Sequence, residues 1–235
     1  MRCLILVLLA GCEPNLAVTP LPTLVTAPRP AVTLERELLM VPGETMIWDV
    51  HVKGFTIARA ELVVGDHEVS SRVKTGKLAS SLAAMLHEST TTFDRTRALA
   101  LRETFVIDGE TTRVSARFDR SRFVLENDRP HAIPGGNLGH TIHTALGWLR
   151  AWAAPGAASG ALYVLHVGEL YRLEFAEPVV EQDTLKVDCR VVPAGEDAVS
   201  ISIWLTLDRD RTPRRIEISN AAVTLTAELV ERATM

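Results

Sequence analysis

His140-Thr141-Ile142-His143 is the compact metal-like spacing in this chain of 235 residues. Two imidazoles three residues apart on a helix could share an ion, but zinc proteases place theirs four apart with a Glu between, and here no acid intervenes. Both histidines fall opposite the apolar stripe of their segment, so partly exposed rings on a polar face are expected, with no metal. The other five, His51, His67, His87, His131 and His166, are scattered, without a Cys or carboxylate at ligand spacing. No Gly-x-Ser-x-Gly nucleophile elbow occurs. Cys189, in Val187-Asp188-Cys189-Arg190-Val191, reads as a buried thiol with no activating neighbour. Paired carboxylates for glycoside hydrolysis leave no local signature, because their separation is spatial. No catalytic residue and no cofactor is therefore expected. The softer signal comes from large side chains: Trp48, Met85, Trp148, Trp152, Tyr171 and Trp204 lie on or beside apolar stretches. If helix and sheet leave a groove, these would line it and suit an acyl chain or a sugar ring; otherwise they fill the core.

The remaining chemistry is at Cys12. The chain opens with one basic residue, Arg2, and an apolar run from Leu4 to Ala10, then Gly11-Cys12. That run is far short of the roughly 20 residues that cross a bilayer as a helix and fits an export signal. Leu9-Ala10-Gly11-Cys12 resembles the bacterial lipobox, in which the thiol receives a diacylglyceryl group and a peptidase cuts before it. Several acyl chains on one residue anchor a protein far more firmly than one. Glu13, where Asp commonly retains lipoproteins in the inner membrane, makes the periplasmic side of the outer membrane the expected address. Residues 12–37 form a tether, in which Pro14, Pro20, Pro22, Pro28 and Pro30 favour extended chain over helix or sheet.

Residues 38–235 must supply the folded body. The apolar content of 47% is too high for disorder, and the charged content of 23% too high for a polytopic membrane protein. With 25 basic against 29 acidic side chains, a net of −4, the chain carries no electrostatic footprint for nucleic acid. Alternation begins at Met46, Trp48, Val50 and Val52 and returns at Ala58–Val64, with strand-like stretches at 68–74, 100–107, 112–118, 161–167, 170–176, 183–192, 198–207, 214–219 and 222–230. Asp108-Gly109 marks a hairpin. Two helices are expected among these strands. One spans 77–88 with Leu78, Leu82, Met85 and Leu86 at helical spacing. The other spans 138–154 with Leu138, Ile142, Ala145, Leu146, Leu149 and Ala153 on one face and Asn137 as its cap. The predicted fold is mainly β (α+β): a curved antiparallel sheet or half-barrel of about eleven strands with both helices packed on one face.

Several short matches in order resemble a bacterial family of exported or lipid-anchored proteins known as domain of unknown function 3108. They are Trp48-Asp49-Val50-His51, Gly54 to Leu62, Thr75 to Leu82, Phe93-Asp94, Phe118-Asp119, Ile133-Pro134-Gly135-Gly136 and Ala145 to Arg150. The resemblance implies an envelope protein, mostly β, without an assigned reaction. Its layout also looks like the open half-barrels of periplasmic lipoprotein carriers, an analogy of fold only. The expected role is non-enzymatic: membrane attachment through acylated Cys12, with binding of a hydrophobic or envelope-derived ligand or support of envelope assembly. The alternatives are a hydrolase of envelope glycan or peptide, and a structural adaptor that binds another envelope protein at an open sheet edge.

Overall fold

From Glu44 onward, side chains point alternately inward and outward, and the computed structural model turns that alternation into one continuous sheet. It describes residues 36–234 except 77–78, 82–83 and 193–198. The expected export signal, Cys12 and nearly all of the tether lie outside the described residues, as do Leu78, Leu82 and Ala83 of the expected first helix.

The chain lays down two meanders. The first comprises β1 (Glu44–Val52), β2 (Phe55–Val64), β3 (Glu68–Thr75), β4 (Met85–Phe93), β5 (Ala98–Ile107), β6 (Glu110–Asp119), β7 (Arg122–Leu125) and β8 (Pro130–Ala132), each antiparallel to the one before. Strand β9 (Gly139–His140) and helix α1 (Ile142–Trp152) follow. The second meander is β10 (Gly160–His166), β11 (Glu169–Phe175), β12 (Val179–Glu181), β13 (Thr184–Val192), β14 (Val199–Thr206), β15 (Pro213–Ser219) and β16 (Thr224–Thr234). Strand β16 pairs with β1, which joins the two meanders into a 16-stranded open sheet ending in β8 on one side and β9 on the other. Among the described strands only β9 runs parallel to its partner, β10. Strand β12 pairs with β13 off the main path.

Two-residue turns set the hairpin registers. Lys53-Gly54, Asp108-Gly109 and Val167-Gly168 all have positive φ at both positions, the conformation whose twist matches the flanking strands. The Asp108-Gly109 hairpin is as the sequence predicts.

Among the described residues, sixteen strands and one α-helix stand in place of the eleven or so strands and two helices expected. The 77–88 helix is corrected: its described residues hold a single 3₁₀ turn at Ala79–Ser81, and Met85 opens β4. Met85, Ser89, Thr91 and Phe93 are buried in alternation, and Thr90-Thr91-Thr92 favours extended chain through its branched side chains. Met85 and Leu86, read as part of a helical stripe, are strand residues. The second helix exists but starts at Ile142, not 138. Its cap is Thr141 rather than Asn137: the Thr141 hydroxyl accepts from the Thr144 N–H, and the Thr144 hydroxyl accepts from the Thr141 N–H.

The sheet rolls around α1, and this corrects the histidine reading. His140 lies on β9 rather than on the helix, and His140 and His143 are only 3% and 4% exposed, because α1 has almost no free face. Trp148, Trp152 and Leu149 pack with Phe175, Leu185, Val187 and Leu205 of the second meander. On the other side Leu146 meets Met46, Trp48 and Phe93 of the first. A third cluster joins Leu101, Phe118 and Phe123 to Leu165 of β10. The two ends of the sheet thus meet through side chains, and no backbone ladder links β8 to β9. Before β1 the chain runs along the helix, with the Leu39 N–H donating to the Gly147 carbonyl and Arg36 reaching the Ala151 carbonyl.

Candidate functional site

The seam where the two meanders meet gathers polar side chains. In the β4–β5 ladder Ser89 faces Glu103 and His87 faces Phe105, so His87 and Glu103 are diagonal neighbours. The tip of β10 comes in from the other meander and brings His166. Its Nδ1–H donates to Glu103 Oε1 at 2.8 Å, and the Val167 N–H donates to Oε2 at 2.6 Å. His87 Nε2 lies 3.5 Å from the same Oε1. That nitrogen is buried and has no hydrogen-bond partner. The two imidazoles stand edge to face with centroids 5.4 Å apart. Burial would push the Glu103 carboxyl up, but the His166 hydrogen bond, His87 and the Val167 N–H outweigh it and hold the group down at about 2. Val167 has a branched side chain and adopts φ 47°, a strained combination that aims its N–H at the carboxylate.

His143 sits beside this group. Thr91 donates its hydroxyl proton to Thr141 Oγ1 at 2.9 Å, so it accepts from His143 Nδ1–H, also at 2.9 Å. His143 Nε2 then accepts from the Ser71 hydroxyl at 2.8 Å. A serine hydroxyl on an imidazole has the geometry of a nucleophile and its base. The chemistry is unfavourable, however. Burial holds His143 down at about 4, with Glu103 opposing and His87 and His166 adding to the shift. A ring so weakly basic is a poor general base at neutral pH, and a threonine rather than a carboxylate orients it.

The expected groove residues divide between core and surface. Trp48, Met85, Trp148 and Trp152 are buried, the tryptophans within core clusters. Trp48 donates from Nε1 to the Pro213 carbonyl at 3.0 Å, and Trp148 stacks on Trp152 with centroids 5.9 Å apart. Trp204 donates to Glu181 at 3.1 Å, under Arg215 and Lys186. Tyr171 donates to Glu169 at 2.7 Å. A cavity of about 430 Å³ is lined instead by Thr96, Arg97, Arg120, Ser121, Gly136 and Leu138. His140 and His143 do not pair as ligands either: His140 Nδ1 is buried without a partner, and both His143 nitrogens are engaged. Cys189 is a buried free thiol, pushed up to about 12 by burial.

Sequence reasoning passed over His87, Glu103 and His166, which are far apart in the chain. The one local signal was that His87 and Glu103 both fall on the inward phase of their strands.

No family model matches the chain. A search of curated proteins gives no match. Among solved structures, the chain is similar to a β-barrel-like protein of domain of unknown function 1849 from Brucella abortus. The TM-score is 0.59 at 12% sequence identity, covering 83% of this chain and 98% of that one. The likeness shows a barrel-like, mainly β fold.

Proposed function

We propose that this protein is a lipid-anchored component of the bacterial envelope, facing the periplasm from the outer membrane, that supports envelope assembly by docking another protein rather than by catalysis. The carrying observation is the free side of β12. The two-residue turn Gln182-Asp183 makes Glu181 and Thr184 a hydrogen-bonded pair, so the alternation of the ladder turns the N–H and C=O of Val180 away from β13. Val179 and Val180 are about half exposed, and Leu207, also exposed, follows directly on Thr206, which pairs with Thr184. An unpaired edge with apolar side chains is a template for strand addition. The interior of the sheet, by contrast, is occupied by α1 and its tryptophans, which favours the edge over a lipid groove. The lipobox at Cys12 and the motif order resembling domain of unknown function 3108 support the envelope address.

The test uses cells carrying a photo-crosslinking residue at Val179, in the native chain and in Cys12→Ser and Val180→Pro variants. The native chain should fractionate with membranes and form a discrete adduct. Cys12→Ser should become soluble, and Val180→Pro should lose the adduct while keeping the native circular dichroism spectrum. Membrane association without Cys12 would overturn the anchor, and an undiminished adduct in Val180→Pro would overturn strand addition.

A further inference from the structure

We propose that His87, Glu103 and His166 together bind one divalent transition-metal ion of the zinc class. The site is independent of how the chain reaches the membrane and of the β12 edge.

Three side chains from β4, β5 and β10 each offer one ligand atom, and all three atoms lie within 4.8 Å of one another. Glu103 Oε1 is 2.8 Å from one imidazole nitrogen and 3.5 Å from the other. Two ligands on a tetrahedral ion, each about 2.0–2.1 Å from it, stand about 3.3 Å apart, so small side-chain shifts close the geometry. Two imidazoles and one carboxylate select zinc, cobalt or nickel over calcium and magnesium, which take oxygen.

An ion pair alone does not account for the arrangement. It explains His166, whose Nδ1–H reaches Glu103, but it brings the buried His87 Nε2 only to 3.5 Å from Oε1, without a well-formed hydrogen bond. Buried polar atoms are nearly always satisfied, and an ion between His87 and Glu103 supplies the missing partner. The outer contacts are also in place. The Val167 N–H occupies Glu103 Oε2 at 2.6 Å and leaves Oε1 for the ion. Metal binding needs the Nδ1 lone pair of His166, so the proton that Nδ1 now donates to Glu103 must leave that atom while Nε2 keeps its own hydrogen. His143 stays outside the ligand set, because Thr91 and Ser71 already take both its nitrogens. Three protein ligands leave the fourth position to water.

Such an ion would clasp the two meanders at their seam, where β4 and β5 belong to one arm of the sheet and β10 to the other.

The experiment uses the full chain in detergent, stripped with a chelator and titrated with Zn²⁺ by calorimetry and with Co²⁺ by visible absorption. We expect one equivalent bound, intense tetrahedral cobalt bands and a raised melting temperature. His87→Ala, Glu103→Gln and His166→Ala should each weaken binding about 100-fold or more, as expected for loss of a ligand when loss of an outer-shell partner already costs 10–100-fold. His131→Ala, at the exposed His131–Asp128 pair, should leave binding unchanged. No saturable equivalent, or binding abolished by His131→Ala, overturns the site. Should the ligand variants fail to fold, histidine-ring nitrogen NMR of the native chain decides. Zn²⁺ must move His87 Nε2 and His166 Nδ1, and a titration that moves neither leaves an ion pair only and overturns the proposal.

Discussion

His140 and Arg150 are both buried, but only one of them is fully supplied with partners at its nitrogens. Each of the three Arg150 nitrogens has a partner: Nη1 and Nη2 reach the two Glu44 oxygens at 2.8 and 3.2 Å, and Nε and Nη2 reach the Asp210 carbonyl at 3.0 and 2.8 Å. Arg232 completes the network from Glu44 to Asp210. His140 has no such partner at Nδ1, and desolvation holds it down at about 4. The native state therefore refuses a proton that the unfolded chain accepts near pH 6.5. Stability is fully present above that pH and falls as the pH drops toward 4, by up to about 3 kcal/mol from this residue. His143, held down in the same way, adds to the slope. Urea unfolding between pH 7 and 4.5 should show this decline, and His140→Phe should remove about half of it. An unchanged slope in the variant would show that His140 is not its source.

Elements were legible where their periodicity was clean. The alternation at 46–52 and the Asp108-Gly109 turn read directly as β1 and the β5–β6 hairpin. Strand β4 was hidden because Met85 and Leu86 fall at helical spacing from the apolar residues before them, while the threonines that argue for strand lie farther on. Helix α1 was found but begun too early. Its capping box uses Thr144 where the usual signature has Glu or Gln, so Thr141 passed as an interior helical residue. The candidate site was not legible, because no local spacing joins residues 87, 103 and 166; only the rolling of the sheet does. At this scale Thr141→Ala should cost about 1–2 kcal/mol, since it removes the cap and orphans the Thr91 hydroxyl that donates to it. Thr141→Ser should recover most of that loss in thermal melts, and equal losses in both variants would rule the cap out.

The whole molecule depends on its seam. Gly139 of β9 faces Phe118 of β6 and Ile133 beyond β8, and a Cβ there would come within 2.6 Å of the phenyl ring and 2.7 Å of the isoleucine. Gly139→Ala should therefore push the two ends of the sheet apart, costing about 1–3 kcal/mol as overpacked cores do. Amide exchange should accelerate in β7 through β10 while the β1–β16 ladder stays protected. Uniform acceleration across the sheet would mean that the seam is no separate unit. That central ladder has a consequence for time rather than for strength. Glu44 pairs with Thr234 and Val52 with Leu225, so the strand that starts the sheet waits for the strand that ends it. Each meander can form from neighbours in sequence, whereas their union closes a loop of nearly the whole domain. An emerging chain would hold two half-built arms until β16 arrives, and the refolding rate should respond to changes in the β1–β16 pairing more than to changes within either arm.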